Sequence, residues 1–230
     1  MKSSVRQLYQ QLVPVSVRRL PFVAALARRL SSRFAHDLLY TAEYFDTDVE
    51  RVSAQAAPAF ASLIAGDFGP VRIIDVGCGT GVLLAALRTS HPTVVGLEYA
   101  EAGLARCRAR GLDVRKFDLE RDTWPHGKET FDLAISMEVA EHLPAAVADQ
   151  FVELLVTLAP CIVFTAATVG QGGLDHVNEQ PHSYWIEKFA EHGCEHQERD
   201  SIRWRDQLMT SGCAAFYYEN LMLYRRRAPS

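Results

Sequence analysis

A chain of 230 residues, 48% hydrophobic and 23% charged, is long enough to bury a core and too apolar for extended disorder. No apolar run approaches the ~20 residues of a membrane-crossing helix, and Arg18, Arg19, Arg28 and Arg29 interrupt the apolar core that a signal peptide needs. The formal charge of −4 is uneven: residues 1–36 carry one Lys and six Arg and no acid, so the remainder stands near −11.

In chain order, Pro14 and Pro21 divide the leader into two short helical pieces, "VRQLYQQLV" and "FVAALARRLSSRF". Residues 36–65 then read as a helix, a break near Tyr44 to Asp46, and a second helix, closed by Gly66, Gly69 and Pro70. From residue 71 the pattern changes. Strands are expected at 71–75, 93–97, 112–116, 131–136 and 160–166, and helices near 80–88, 100–110, 144–157 and 181–192. Such alternation predicts a parallel sheet covered on both faces. Two further extended segments, about 195–204 and 214–224, predict an antiparallel hairpin that closes the sheet. The expected division is a helical extension or lid over 1–69 and an α/β domain over 70–230. Five scattered cysteines, Cys78, Cys107, Cys161, Cys194 and Cys213, form no C-x-x-C pair and suit a reducing cytoplasm.

The stretch "VRIIDVGCGTGVLLAAL" (71–87) runs from strand formers through Asp75 and the alternate glycines Gly77, Gly79 and Gly81 into a helix. Glycines there let a backbone approach a ligand, and a helix N-terminus attracts negative charge. The spacing is G-x-G-x-G, and the dinucleotide fingerprint fails because its last glycine would fall on Val82. This turn, "TVVGLE" ending in Glu98, "VRKFDLE" with Asp118, and "FDLAISMEVAEHL" with Ser136 together resemble the ordered motifs of class I S-adenosylmethionine (SAM)-dependent methyltransferases. The resemblance spans about residues 68–168. It implies a Rossmann-like, doubly wound, mostly parallel seven-stranded sheet with an antiparallel strand at the C-terminal end. It also implies SAM as cofactor, with Glu98 on the ribose hydroxyls, Asp118 at the adenine amino group and Ser136 beside the methionine moiety. Asp75 lies at the turn, where bracing backbone N–H groups is an equal reading. In this superfamily N-terminal helices often cover the cofactor cleft, which assigns Tyr40, Glu43, Tyr44 and Phe45 to that cover, with Tyr44 on the cofactor; ordinary packing is the alternative for Phe45.

A second signal is "MEVAEHLP". If a helical turn begins after Ser136, then Glu138, Glu141 and His142 share one face at i, i+3 and i+4. His142 can be the base that deprotonates an acceptor hydroxyl, with Glu141 beside it. Alternatively Glu138, Glu141 and His142, with His176 as a fourth ligand, can hold Mg²⁺ or Mn²⁺. A ligated His142 is not a free base, so the two readings exclude each other. The third signal is "GQGGLDHVNEQPHSYW" (170–185), a polar loop after the fifth strand. Its His176, Asn178, Glu179, Gln180, Tyr184 and Trp185 offer the hydrogen-bonding and stacking groups that hold sugars. It resembles a bacterial methyltransferase subgroup with G-Q-G-G-x-x-H-V-N-E-Q, linked to saccharide and natural-product pathways.

The expected activity is O-methyl transfer from SAM to a small polyol, sugar or saccharide in the cytoplasm. RNA 2′-O-methylation and methylation of a quinone precursor are the enzymatic alternatives. A SAM-binding regulatory or assembly subunit is the non-enzymatic one. The acidic body speaks against nucleic acid as a partner. The basic leader reads first as a solvated helix face, and otherwise as a helix in peripheral contact with an anionic membrane surface, a nucleic-acid arm or a segment docking on an acidic subunit; a homo-oligomer is a further expectation.

Overall fold

The structure, a computed structural model, describes residues 39–125 and 130–227. The helices expected within residues 1–36 lie outside that range.

The chain enters through one α-helical turn, Ala42–Tyr44, and a π-helical segment, Phe45–Val49, that leads directly into α1, Glu50–Phe68. The expected break near Tyr44 to Asp46 is this π-helical turn, and the rod continues through it. The alternation that follows is β1 (Arg72–Val76), α2 (Val82–Leu87), β2 (Thr93–Glu98), α3 (Glu101–Ala109), β3 (Asp113–Lys116), β4 (Leu133–Met137), α4 (Ala148–Leu158), β5 (Cys161–Thr165) and α5 (His182–Glu191). After it come β6 (Cys194–His196), α6 (Glu198–Met209), α7 (Ala215–Glu219) and β7 (Met222–Arg226). The seven strands lie in the order β3-β2-β1-β4-β5-β7-β6. β1 to β5 pair in parallel, and β7 runs antiparallel to both β5 and β6.

Alternate residues of each strand face opposite layers, as the pleat requires. Ile73, Leu133 and Ile135 point to a layer made with Phe60 and Ile64 of α1, Leu87 of α2, and Trp204 and Leu208 of α6. Ile74 and Ala134 point to the other layer, against Phe151 and Leu155 of α4 and Trp185 and Phe189 of α5. Phe60 and Ile64 are fully buried. Residues 50–68, expected within a separate extension, therefore share the core of the body, and the packing does not divide at residue 69.

The antiparallel closure is present, but the segments expected to form it are largely helical. Strand 195–204 ends at His196, and α6 takes over; 214–224 is α7 followed by β7. Ser201, Trp204 and Leu208 are buried at helical spacing, which a strand could not bring to one face. Among the described residues, no helix is long and apolar enough to cross a membrane.

Candidate functional site

The strand order reverses between β1 and β4, and sheets of this kind open a crevice at the C-terminal ends of such strands. A cavity of about 480 Å³ lies there. Its walls come from the turn after β1, the ends of β2 and β4, the π-helical segment, the loop after β5 and α7.

At one end stands the glycine turn. Gly77, Gly79 and Gly81 have φ of 80°, 56° and 76°, a region that side chains resist. A Cβ on Gly77 would lie 2.5 Å from Val139 Cγ2. A Cβ on Gly79 would make only ordinary contacts, 3.5 Å from Val49 Cγ1, so its backbone conformation alone demands glycine. Its amide is not bared to a ligand as expected. It donates to Glu98 Oε2 at 2.9 Å, while the amides of Tyr99 and Ala100 both donate to Oε1 at 2.7 Å. Three backbone donors thus fix the Glu98 carboxyl at the cavity wall. Enclosure pushes its pKa up to about 7, against the pull of those donors. Asp75 is buried and is likewise pushed up to about 7, by burial first and by the nearby Glu98 second.

Asp118 faces the cavity between Phe117 and Leu119 and accepts from the Glu120 amide at 3.1 Å. Tyr44 lines the opposite wall beside Phe45, and burial, with carboxylates around it, keeps its hydroxyl protonated. The Thr80 hydroxyl is buried in the wall with no hydrogen-bond partner. Ser136 does not reach this cavity: it is fully buried and donates to the Val76 carbonyl at 2.9 Å. The positions after it, Met137 and Glu138, line the cavity instead.

At the other end the expected helical face does not form. β4 continues to Met137, and Glu138 adopts φ 54°, with its amide donating to the Thr165 carbonyl at 3.1 Å and hydroxyl oxygen at 2.9 Å. A single 3₁₀ turn, Ala140–His142, follows. This leaves Glu138 outside the cluster that Glu141 and His142 form with His176, although its carboxyl still acts on that of Glu141. Gln171 Nε2 donates to Glu138 Oε2 at 2.9 Å, and Asn220 Nδ2 to Glu138 Oε1 at 3.1 Å and to Gln171 Oε1 at 2.8 Å. Burial raises the Glu138 pKa against these donors.

Glu141, His142 and His176 come together, with candidate ligand atoms all within 4.8 Å of one another. Glu141 is 0% exposed, lines the cavity, and neither carboxyl oxygen has a hydrogen-bond partner. Burial, and then the Glu138 carboxyl, raise its pKa well above the usual range. His142 Nδ1 lies 3.4 Å from the Asp175 carbonyl, and its ring stands edge-on to those of His176 and Tyr40.

Of the six residues expected to bind acceptor, only His176 lines the cavity. Glu179 staples its own loop, accepting from the Gly170 and Gly172 amides at 2.8 and 2.7 Å and meeting His176 Nδ1 at 2.9 Å. Gln180 donates to Asn178, and Asn178 is buried. Trp185 packs in the core against Phe164, with Tyr184 against it. These polar and aromatic groups shape the loop rather than the cavity surface.

Gln171, Asn220 and Gly103 were not singled out in the sequence. A Cβ on Gly103 would lie 2.7 Å from the Gly79 carbonyl, so α3 approaches the turn closely there. An isolated glycine inside a helical pattern was the available signal. Gln171 sits within the quoted loop motif, while Asn220 belongs to no motif.

The chain matches the family model of a methyltransferase domain over residues 26–208. It is 30% identical over 151 residues to a ubiquinone biosynthesis O-methyltransferase of Ruegeria sp., covering 62% of this chain and 56% of that protein. A protein of the same description from Hahella chejuensis is 35% identical over 79 residues, 32% of this chain and 33% of that one. The matches thus span from about a third to just over half the length of these relatives. Among solved structures, an amino pentose methyltransferase from Micromonospora echinaspora aligns with a TM-score of 0.55 at 21% identity, over 76% of this chain and 92% of that one. A sugar N-methyltransferase from Streptoalloteichus aligns with 0.57 at 17%, over 76% and 88%. At such identity these are likenesses of fold. With the family model covering 26–208, and with the strand order and glycine turn described above, the chain belongs to the SAM-dependent methyltransferase-domain family.

Proposed function

We propose that the chain transfers the methyl group of SAM to a hydroxyl of a small polyol, sugar or saccharide, with His142 taking the proton. The observation that carries this is the position of His142, after β4 on the wall of the same cavity that the glycine turn lines. The cofactor end fits SAM: Glu98 offers a fixed carboxyl to a ribose, Asp118 an acceptor to an adenine amino group, and Thr80 an orphan hydroxyl to a polar terminus. SAM supplies an electrophilic methyl on a sulfonium when bound. The chain's own work is to align an acceptor oxygen with it and remove a proton, since a free hydroxyl is a weak nucleophile. If His142 Nδ1 donates to the Asp175 carbonyl, Nε2 carries the lone pair that acts as base. Names of the matched relatives favour oxygen as the methylated atom. They equally support a quinone-precursor phenol as the acceptor.

A second mechanism is favoured by the convergence of Glu141, His142 and His176, which could hold Mg²⁺ or Mn²⁺, with His176 oriented by Glu179. The metal would then lower the pKa of the acceptor hydroxyl in place of a base. The test is incorporation of labelled methyl from SAM into a pool of sugars, polyols and catechols, with and without EDTA. Methylated hydroxyls that survive EDTA support the base. Loss on EDTA and recovery with Mn²⁺ support the metal. SAM binding with no methylated hydroxyl overturns the proposal.

A further inference from the structure

We infer that the acceptor carries a protonated amine, which seats on the carboxyl of Glu141 with Glu138 beside it. This rests on the reading that the β4 end of the cavity receives the acceptor. Beyond Glu98 and Asp118, given to the cofactor, the β4 end of the cavity is lined by the carboxyls of Glu138 and Glu141, and among the described residues no Lys or Arg lines the cavity. Arg121 approaches Asp118 at the cofactor end, 3.8 Å away. Among the described residues, a phosphate or carboxylate entering the β4 end would meet acids and no guanidinium or ammonium.

Glu141 supplies the second, independent observation. A carboxyl that is 0% exposed and has two oxygens without a donor is the kind of group that proteins do not leave unsatisfied. A proton on Glu141 directed at the Glu138 carboxyl places the donor but leaves the other oxygen an acceptor without a partner. A ligand ammonium satisfies both oxygens, offering three donors and the opposite charge. The walls suit such a group. The rings of His142 and His176 lie with centroids 4.9 Å apart, those of His142 and Tyr40 5.8 Å, and aromatic surfaces attract ammonium ions. Glu138, already held by Gln171 and Asn220, adds a second carboxyl whose position is fixed before the ligand arrives.

An acceptor with this character is an amino-polyol or amino sugar bare of phosphate at the end that enters the site. The preceding reaction is then one that introduces or unmasks an amine, such as transamination or deacetylation.

The test uses the full chain saturated with S-adenosylhomocysteine and three probes of similar size: ethanolamine, ethylene glycol and glycolate. Side-chain resonances of His142 and His176 are followed by NMR during titration. Ethanolamine should perturb both saturably, ethylene glycol should bind at least about tenfold more weakly, and glycolate should have no effect. Glu141→Gln should lose the ethanolamine response, with its affinity for S-adenosylhomocysteine showing that the fold is intact. The wild-type series stands without the variant. No response to ethanolamine, equal binding of glycolate, or an unchanged response in Glu141→Gln overturns the inference. So does displacement of ethanolamine by Mg²⁺ or Mn²⁺, which would make the site a metal centre. Methylation of neutral polyols that is indifferent to Glu141→Gln also overturns it and leaves hydroxyl transfer standing. Saturable ethanolamine binding in a chain that methylates no hydroxyl supports it and removes hydroxyl transfer.

Discussion

The two ends of the cavity are built by different means. At the glycine turn the critical carboxyl, Glu98, is fixed by three backbone amides within a few residues of β1 and β2. At the β4 end the critical groups are side chains from positions 138, 141, 171, 176 and 220, and one of them, Glu141, is left unsatisfied. A site made of backbone is complete before its ligand arrives. A site made of converging side chains, with an orphan acid among them, has its last partner in the ligand.

That contrast can be broken at His142 first. His142→Ala should lower kcat by roughly 10²–10⁴, the usual worth of a general base. SAM affinity should stay near wild type, as turnover and calorimetry together would report. Near-wild-type turnover would make the β4 end a binding surface only. Next comes Glu98→Ala, which removes the proposed ribose acceptor and strands three amides. About 1.5–3 kcal/mol for bonds to a charged group predicts SAM binding weaker by roughly 10- to 100-fold. Undiminished affinity would detach Glu98 from the cofactor.

A third comparison pits two glycines against each other. Gly77→Ala adds a Cβ 2.5 Å from Val139 Cγ2 at positive φ, and should cost about 1–3 kcal/mol in chemical denaturation. Gly79→Ala meets Val49 only at ordinary contact distance and should cost only the strain of its backbone, at the low end of that range. Adding Val139→Ala should rescue the first and not the second.

The smallest effect is on pH. Asp75 and Glu98 both titrate near about 7 in the folded chain, above ordinary carboxylates. Between about pH 4 and about pH 7 the folded state therefore holds more protons than the unfolded one. The pair's contribution to stability is largest at the acid end of that window and declines as pH rises through it. Cationic SAM favours the ionised acids, so binding below about pH 7 must expel protons. Affinity should rise towards about pH 7, by at most about tenfold per unit for each proton released, and then level off. Calorimetry in buffers of different ionisation enthalpy would count those protons; a flat profile would place the acids away from the cofactor.

What could be read from the sequence follows the same divide. The strands, the glycine turn, Glu98 and Asp118 declare themselves locally, because a tight turn and a strand end are properties of a few consecutive residues. The β4 end depends on packing over long separations. Motif position alone assigns Ser136 to the cavity, whereas its side chain turns inward to the Val76 carbonyl and the next residue, Met137, lines the cavity. Trp185 and Tyr184 resembled stacking platforms, yet α5 turns Trp185 into the core, and composition cannot say which face of a helix is inward. Glu138 stays out of the Glu141–His142–His176 cluster because its backbone takes a left-handed conformation that no helical spacing rule anticipates.

The strand order also has a consequence for how the chain is made. β6 precedes β7 in sequence, but β7 is inserted between β5 and β6 and is the partner of both. During synthesis β6 cannot join the sheet until residues 222–226 have left the ribosome. Asn220, which completes the clasp on Glu138, emerges immediately before them. The glycine turn and the strands that support it are translated more than a hundred residues earlier. A nascent chain can thus acquire the means to hold its cofactor well before it acquires the means to hold an acceptor, and the edge of β5 is exposed to mispairing through that interval.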